Sequence, residues 1–114
     1  MKQGEIWQIN LDPTIGSEMK KVRRCIILNS NQIGKLPLKL IAPITDFKPH
    51  YAKVPWMVVL EPNASNNLHK KSAIDLFQVR CVSQKRLIKQ IGKVEKAILL
   101  ECKEALDTVF EIEE

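Results

Sequence analysis

The 114-residue chain lacks most of the features that announce a chemistry. No apolar run approaches the roughly 18 residues that a membrane-spanning helix needs. Met1-Lys2-Gln3-Gly4-Glu5 leads straight into a strand pattern without an apolar signal segment, so the expected location is the cytoplasm, with no membrane partner. Cys25, Cys81 and Cys102 are odd in number, far apart and without C-x-x-C spacing, which argues against a disulfide framework or a zinc site. Their apolar surroundings predict three buried free thiols. Aromatic residues make up 5% of the chain, and those that look exposed (Trp7, Tyr51 and Trp56) provide little stacking surface for a passive RNA-binding module. There is no phosphate-cradling G-x-x-x-x-G-K-S/T, no G-x-G-x-x-G, no H-E-x-x-H and no G-x-S-x-G. The only histidines, His50 and His69, lie in polar stretches and read as solvated loop residues. The first half holds only Glu5, Asp12, Glu18 and Asp46 as acids, too few for the clustered carboxylates of a divalent-metal nuclease. No metal ligands and no cofactor are assigned.

What is present begins with charge. The net charge is +5. Residues 1–57 hold nine Lys and Arg against four Asp and Glu, whereas residues 58–114 hold nine of each. The whole excess therefore lies in the first half, which suggests a polyanionic partner such as nucleic acid or an acidic peptide. Apolar residues reach 45%, enough for a real core, and the length predicts a single domain over 1–114.

Short strands dominate the pattern. Trp7, Ile9 and Leu11 alternate with polar neighbours, as in a half-buried strand, and Asp12-Pro13 stops it. Arg24 to Leu28 reads as a second, more buried strand. Leu38 to Thr45 reads as a third, in which Pro43 predicts an edge or a bulge. Trp56 to Leu60 is a fourth, Ala73 to Val82 a fifth, and Ile88 to Val94 a short last one. Ser83 is placed to cap one helical turn through Arg86. From Glu95 onward, Ile98, Cys102, Ala105, Leu106 and Val109 recur at helical spacing, predicting an amphipathic helix of about four turns. The fold class is therefore mainly β with a C-terminal α-helix, a small barrel or curled sheet with the helix laid against it.

The polar cluster Leu11-Asp12-Pro13-Thr14-Ile15-Gly16-Ser17-Glu18, Lys20-Lys21-Val22-Arg23-Arg24 stands at the entrance to the second strand. Guanidinium is the natural fork for phosphate oxygens. An arginine at one strand start and Thr45 at the end of a neighbouring strand would hold a phosphodiester from two sides. Such a site favours attack by the RNA's own 2′-hydroxyl, which needs alignment, charge stabilisation and proton transfers but no metal. The bland alternatives are a surface salt bridge for Arg23, with Glu18 as partner, and an ordinary strand position for Thr45.

Several segments taken together resemble the MazF/PemK/Kid family of toxin endoribonucleases. They are Gly4-Glu5-Ile6-Trp7, Leu11-Asp12-Pro13 with Gly16-Ser17-Glu18, Val22-Arg23 before an apolar strand, Ala42-Pro43-Ile44-Thr45, Lys71-Ser72 followed by Gln78-Val79-Arg80, and Lys85-Arg86-Leu87. The resemblance implies an SH3-like barrel with a C-terminal helix, a homodimer, and sequence-specific, metal-independent cleavage of single-stranded mRNA that leaves a 2′,3′-cyclic phosphate and a 5′-hydroxyl. It also implies a cognate antitoxin that blocks the groove with an acidic tail. By the same resemblance Arg23 and Thr45 are the catalytic pair, and the loop from Pro13 to Val22 lies near the RNA. Ser17, Glu18, Lys20, Lys21, Arg24, Ser72 and Gln78 are the expected RNA-binding residues. One departure concerns Arg24, where the family usually has proline. Arg24 regains a backbone donor and adds a charge. Strand alternation turns Arg23 and Arg24 to opposite faces, so only one of them is expected to face the site, and the alignment favours Arg23. Arginine is a poor general base. Arg23 is therefore assigned to charge stabilisation, with proton donation to the leaving 5′-oxygen as a second role, and the acceptor of the 2′-hydroxyl proton stays open.

Two other classes fit parts of the pattern. One is a non-catalytic CcdB-like toxin that binds a topoisomerase, which would not need the Arg23 constellation. The other is an RNA-binding module without catalysis.

Overall fold

Hydrophobic residues are buried on both faces of one antiparallel sheet, which is why its central strands read as nearly continuous apolar runs. The computed structural model describes residues 1–13, 15–18, 21–33 and 35–111. The strands are β1 (Glu5–Asn10), β2 (Val22–Ile27), β3 (Leu38–Asp46), β4 (Met57–Leu60), β5 (Ser72–Asp75), β6 (Arg80–Ser83) and β7 (Leu87–Lys93), followed by the helix α1 (Lys96–Val109). Their order across the sheet is β4-β5-β3-β2-β1-β7, with β6 also paired to β3.

Ile26, Ala42, Ile44, Ile74 and Leu60 fill a core on one face, and Cys102 and Ala105 of α1 pack into it. Ile9, Leu11, Cys25, Ile27, Ile41 and Val82 fill a second core on the other face. The helix is thus anchored by the small residues of its stripe, while Ile98, Leu99 and Leu106 cover the core margin.

The sheet is mainly β with the expected C-terminal helix, but strand pairing does not close it into a barrel. Its end strands, β4 and β7, are bridged by the asparagine-rich loop after β4. Lys93 N donates to Ser65 O at 3.0 Å, and Asn67 Nδ2 donates to Ile91 O at 2.8 Å. Buried Asn66 organises that loop, accepting from Asn63 N and Leu68 N and donating to Glu61 O. Asn67 adopts φ +54°, a left-handed conformation that asparagine tolerates better than most residues. Gly92 permits the close approach, because a Cβ there would lie 2.5 Å from the Asn66 carbonyl oxygen.

Three expectations need correction. Pro43 is at neither an edge nor a bulge; it is buried in the middle of β3. Leu38–Ile41 of β3 pair with β6, and Ile44–Asp46 pair with β5. The missing N–H of Pro43 falls in the gap where the partner changes, so no ladder bond is lost. Ala73 to Val82 is also not one strand. Asp75 Oδ1 accepts from Phe77 N at 3.0 Å and caps a 3-10 turn at Leu76–Gln78, which divides β5 from β6. Finally, only Cys25 and Cys102 are buried, and Cys81 is exposed. Burial pushes both buried thiols up to about 12. Ser83 does cap the turn Gln84–Arg86, its Oγ accepting from Lys85 N.

Candidate functional site

The ladder between β2 and β3 runs Cys25 opposite Pro43 and Arg24 opposite Ile44. Continued one step, that register sets Arg23 opposite Thr45 at the open end of the two strands. The pairing of β3 with β5 puts Ala73 on the other side of Thr45. Side chains alternate across a sheet, so Arg23, Thr45, Pro43 and Ala73 share one face. Arg24, Ile44, Asp46 and Gln8 share the other.

A cavity of about 500 Å³ lies at this end of the sheet. Arg23, Arg24, Thr45, Asp46, His69 and Lys89 are among its lining residues. Both arginines therefore line one cavity, although only one was expected to face the site; the strand end lets the cavity reach residues of both faces. Arg24 Nη2 lies 3.7 Å from Asp46 Oδ1. Glu18, the bland partner considered for Arg23, pairs through Oε2 with Arg80 Nη1 at 3.9 Å. His50 and His69 are both exposed, as expected, but His69 reaches the cavity wall.

A second cavity of about 370 Å³ is lined by Ser17 and Glu18 of the loop after β1, by Leu11 and Pro43, and by the run Phe77, Gln78, Val79 and Arg80. Pro43 lies two residues before Thr45 on the same face of β3, so this cavity adjoins the Arg23–Thr45 end. Gln78 Nε2 donates to Asp75 Oδ2 at 3.1 Å. Glu18 is held in its turn by accepting from Ile15 N at 3.0 Å.

The remaining site residues divide. Lys21 is exposed in a left-handed conformation, φ +70°, and lines neither cavity. Its N–H donates to Asp12 Oδ1 at 2.9 Å, and its carbonyl accepts from Leu11 N. Ser72 is 0% exposed, and its hydroxyl donates to Lys70 O, so it holds a loop and does not face the groove. Lys20 lies outside the described residues. Arg86 donates to the carbonyls of Asn10 and Asp12, clamping the end of β1 below the polar loop. Phe77 escaped the sequence reading: it is 64% exposed and packs at 5.5 Å against Trp56. Its place inside an apparent strand concealed it; the Asp75-x-Phe77 spacing of an Asx turn was the available signal.

Comparison with known proteins bears on the family and the fold. The family model of PemK-like, MazF-like toxins of type II toxin–antitoxin systems matches residues 2–110. The chain is 30% identical to endoribonuclease MazF9 of Mycobacterium tuberculosis, covering 93% of this chain and 92% of that one. It is 32% identical to endoribonuclease MazF of Staphylococcus epidermidis, covering 94% and 88%. Among solved structures, MazF from Deinococcus radiodurans superposes with a TM-score of 0.80 at 19% identity, covering 98% and 97%. An endoribonuclease from a mycobacterial species, in complex with its cognate antitoxin, superposes with a TM-score of 0.77 at 15% identity, covering 100% and 98%. The chain belongs to the family of PemK-like, MazF-like toxins of type II toxin–antitoxin systems.

Proposed function

We propose that this chain is a sequence-specific endoribonuclease toxin, one domain over residues 1–114, that cuts single-stranded mRNA without a metal. The observation that carries the reading is the register that sets Arg23 opposite Thr45 at the mouth of a cavity also lined by Arg24 and Lys89. Family membership and the names of the relatives support it.

The chemistry follows from the side chains. The 2′-hydroxyl gives up its proton and its oxygen attacks the adjacent phosphorus; the bond to the 5′-oxygen breaks and that oxygen takes up a proton, so a 2′,3′-cyclic phosphate and a 5′-hydroxyl remain with no net change in protons. The guanidinium of Arg23 offsets the extra negative charge on the phosphorane oxygens. Its second role is to donate a proton to the leaving 5′-oxygen. The Thr45 hydroxyl donates to a phosphate oxygen and fixes the alignment. Arg24 and Lys89 add positive potential that draws the strand in. The toxin acts as a homodimer in the cytoplasm, and a cognate antitoxin with an acidic tail neutralises it by occupying the same cationic groove.

Mapping the ends produced on a long single-stranded RNA in excess chelator tests this reading. Cuts at a short recurring sequence with cyclic-phosphate ends support it. Intact RNA, with tight topoisomerase binding instead, would replace it with the CcdB-like alternative.

A further inference from the structure

The cavity beside Pro43 has the make-up of a slot for a flat, polar-edged ring. Leu11, Pro43 and Val79 provide apolar walls, Phe77 an aromatic one, and Gln78 a carboxamide. Phe77 is solvent-exposed yet braced from behind by Trp56, with the two rings tilted at 48°. An exposed phenyl ring held by a second aromatic is a stacking platform whose ordering is already in place.

Beneath the slot lies Asp75, 5% exposed. The β3–β5 register, continued one step beyond Ile44 and Ile74, sets Asp75 opposite Pro43. Its two carboxylate oxygens do different work. Oδ1 accepts from Phe77 N and forms the turn that presents the ring, while Oδ2 accepts from Gln78 Nε2 and orients the amide. A carboxylate accepts only, so it selects the NH₂ end of Gln78 and directs the amide oxygen away from itself. The slot and the Arg23–Thr45 pair share a sheet face two residues apart along β3, a separation of about 7 Å. A nucleotide adjoining a phosphate at Arg23 therefore reaches the slot.

We propose that this slot reads one unpaired nucleobase next to the cut, with Phe77 stacking on the base, Gln78 bonding to its edge, and Asp75 acting as the positioning residue for both. The proposal rests on the ribonuclease reading above. It adds Phe77 and Asp75 to the specificity apparatus and locates the base that they govern.

Two measurements test it. The first maps cleavage sites and KM on a long single-stranded RNA for the wild type, Phe77→Ala, Phe77→Tyr, Asp75→Asn, Gln78→Ala and the Asp75→Asn/Gln78→Ala double variant. Phe77→Ala should raise KM roughly 5- to 100-fold, the range of one lost base stack, and Phe77→Tyr should restore it. Asp75→Asn should relax base preference at one position flanking the cut, because a carboxamide both donates and accepts and so meets either end of the Gln78 amide. On the Gln78→Ala background the same change should alter the preference no further. The second measurement follows Trp56 fluorescence, isolated by Trp7→Phe, as chains with and without Phe77→Ala bind a 2′-O-methyl RNA strand, with quenching expected only where Phe77 is present. Wild-type cleavage with unchanged KM and unchanged sites in Phe77→Ala overturns the slot and leaves the ribonuclease reading intact. Quenching by the 2′-O-methyl strand, with the unmodified long RNA left uncut by the wild type, overturns the ribonuclease reading and leaves the slot standing. Phe77 is exposed, so its variants keep the test decisive if the buried Asp75 substitution does not fold.

Discussion

Arg24 Nη2 lies 3.7 Å from Asp46 Oδ1, across the end of the β2–β3 ladder and on the sheet face opposite Arg23 and Thr45. Arg24 stands where the family resemblance implies a proline, and it has an ion-pair partner within the chain. Leu28 N donates to Leu40 O in the same register, so alternate residues of β2, Arg24 among them, direct their N–H toward β3.

Two substitutions at Arg24 should therefore separate. Arg24→Ala removes a half-exposed ion pair and should change stability by less than about 1 kcal/mol. Cleavage should stay within about tenfold of the wild type, the scale of one lost charged contact. Arg24→Pro introduces the proline that the family resemblance implies but deletes a ladder donor, and should cost more stability than alanine. Urea denaturation of the two variants checks the order.

Gly92 should tolerate no side chain. Alanine there would drive its Cβ against the Asn66 carbonyl at the seam between the end strands. The expected cost is about 1–3 kcal/mol, the usual range for overpacking. Hydrogen exchange should show faster opening at Lys93 N, the seam's backbone donor.

The two buried thiols make stability pH-dependent on the alkaline side. Burial raises Cys25 and Cys102 in the folded chain from the ordinary 9.0 to about 12. The folded state therefore holds protons that the unfolded state releases. This contribution is complete below pH 9 and is lost as pH rises from 9 toward 12, at up to about 1.4 kcal/mol per pH unit for each thiol. Thermal melts of the wild type and Cys25→Ala/Cys102→Ala should diverge in slope above about pH 9. At neutral pH a thiol-alkylating reagent should label Cys81 alone.

Arg86→Lys should loosen the loop after β1 without unfolding the sheet. Both bonds come from Nη1, which the planar guanidinium holds in a fixed direction and a flexible lysine ammonium does not. The loop carries Ser17 and Glu18 to the second cavity, so KM for RNA should rise more than kcat falls. Steady-state kinetics on one defined RNA strand checks the split.

Much of the fold was readable from local pattern. Period two over Trp7–Leu11 and period three to four over Ile98–Val109 each reflect one buried face, and Ser83 is a cap by its own chemistry. Pro43 reads as an edge or bulge residue because the switch of β3 from β6 to β5 at that residue is a long-range event. Ala73–Val82 reads as continuous because its apolar content outweighs one aspartate. The site was half legible. Arg23 and Thr45 came from resemblance and chemistry, but their opposition is a matter of register, which no local pattern specifies. Ser72 resembled a groove residue and is buried as a loop clasp, whereas Phe77 resembled core and is exposed.

The central claim is that Arg23 and Thr45 act together on one phosphodiester. Cleavage of a long single-stranded RNA by the wild type, Arg23→Ala and Thr45→Ala, in excess chelator and with end mapping, tests it most directly. Both side chains sit at a strand end outside the cores, so both variants should keep the wild-type circular dichroism. The wild type should leave 2′,3′-cyclic phosphate and 5′-hydroxyl ends, and each variant should lose at least about 100-fold in rate. Wild-type cutting by either folded variant, or cleavage that stops when metal is withdrawn, would contradict the account.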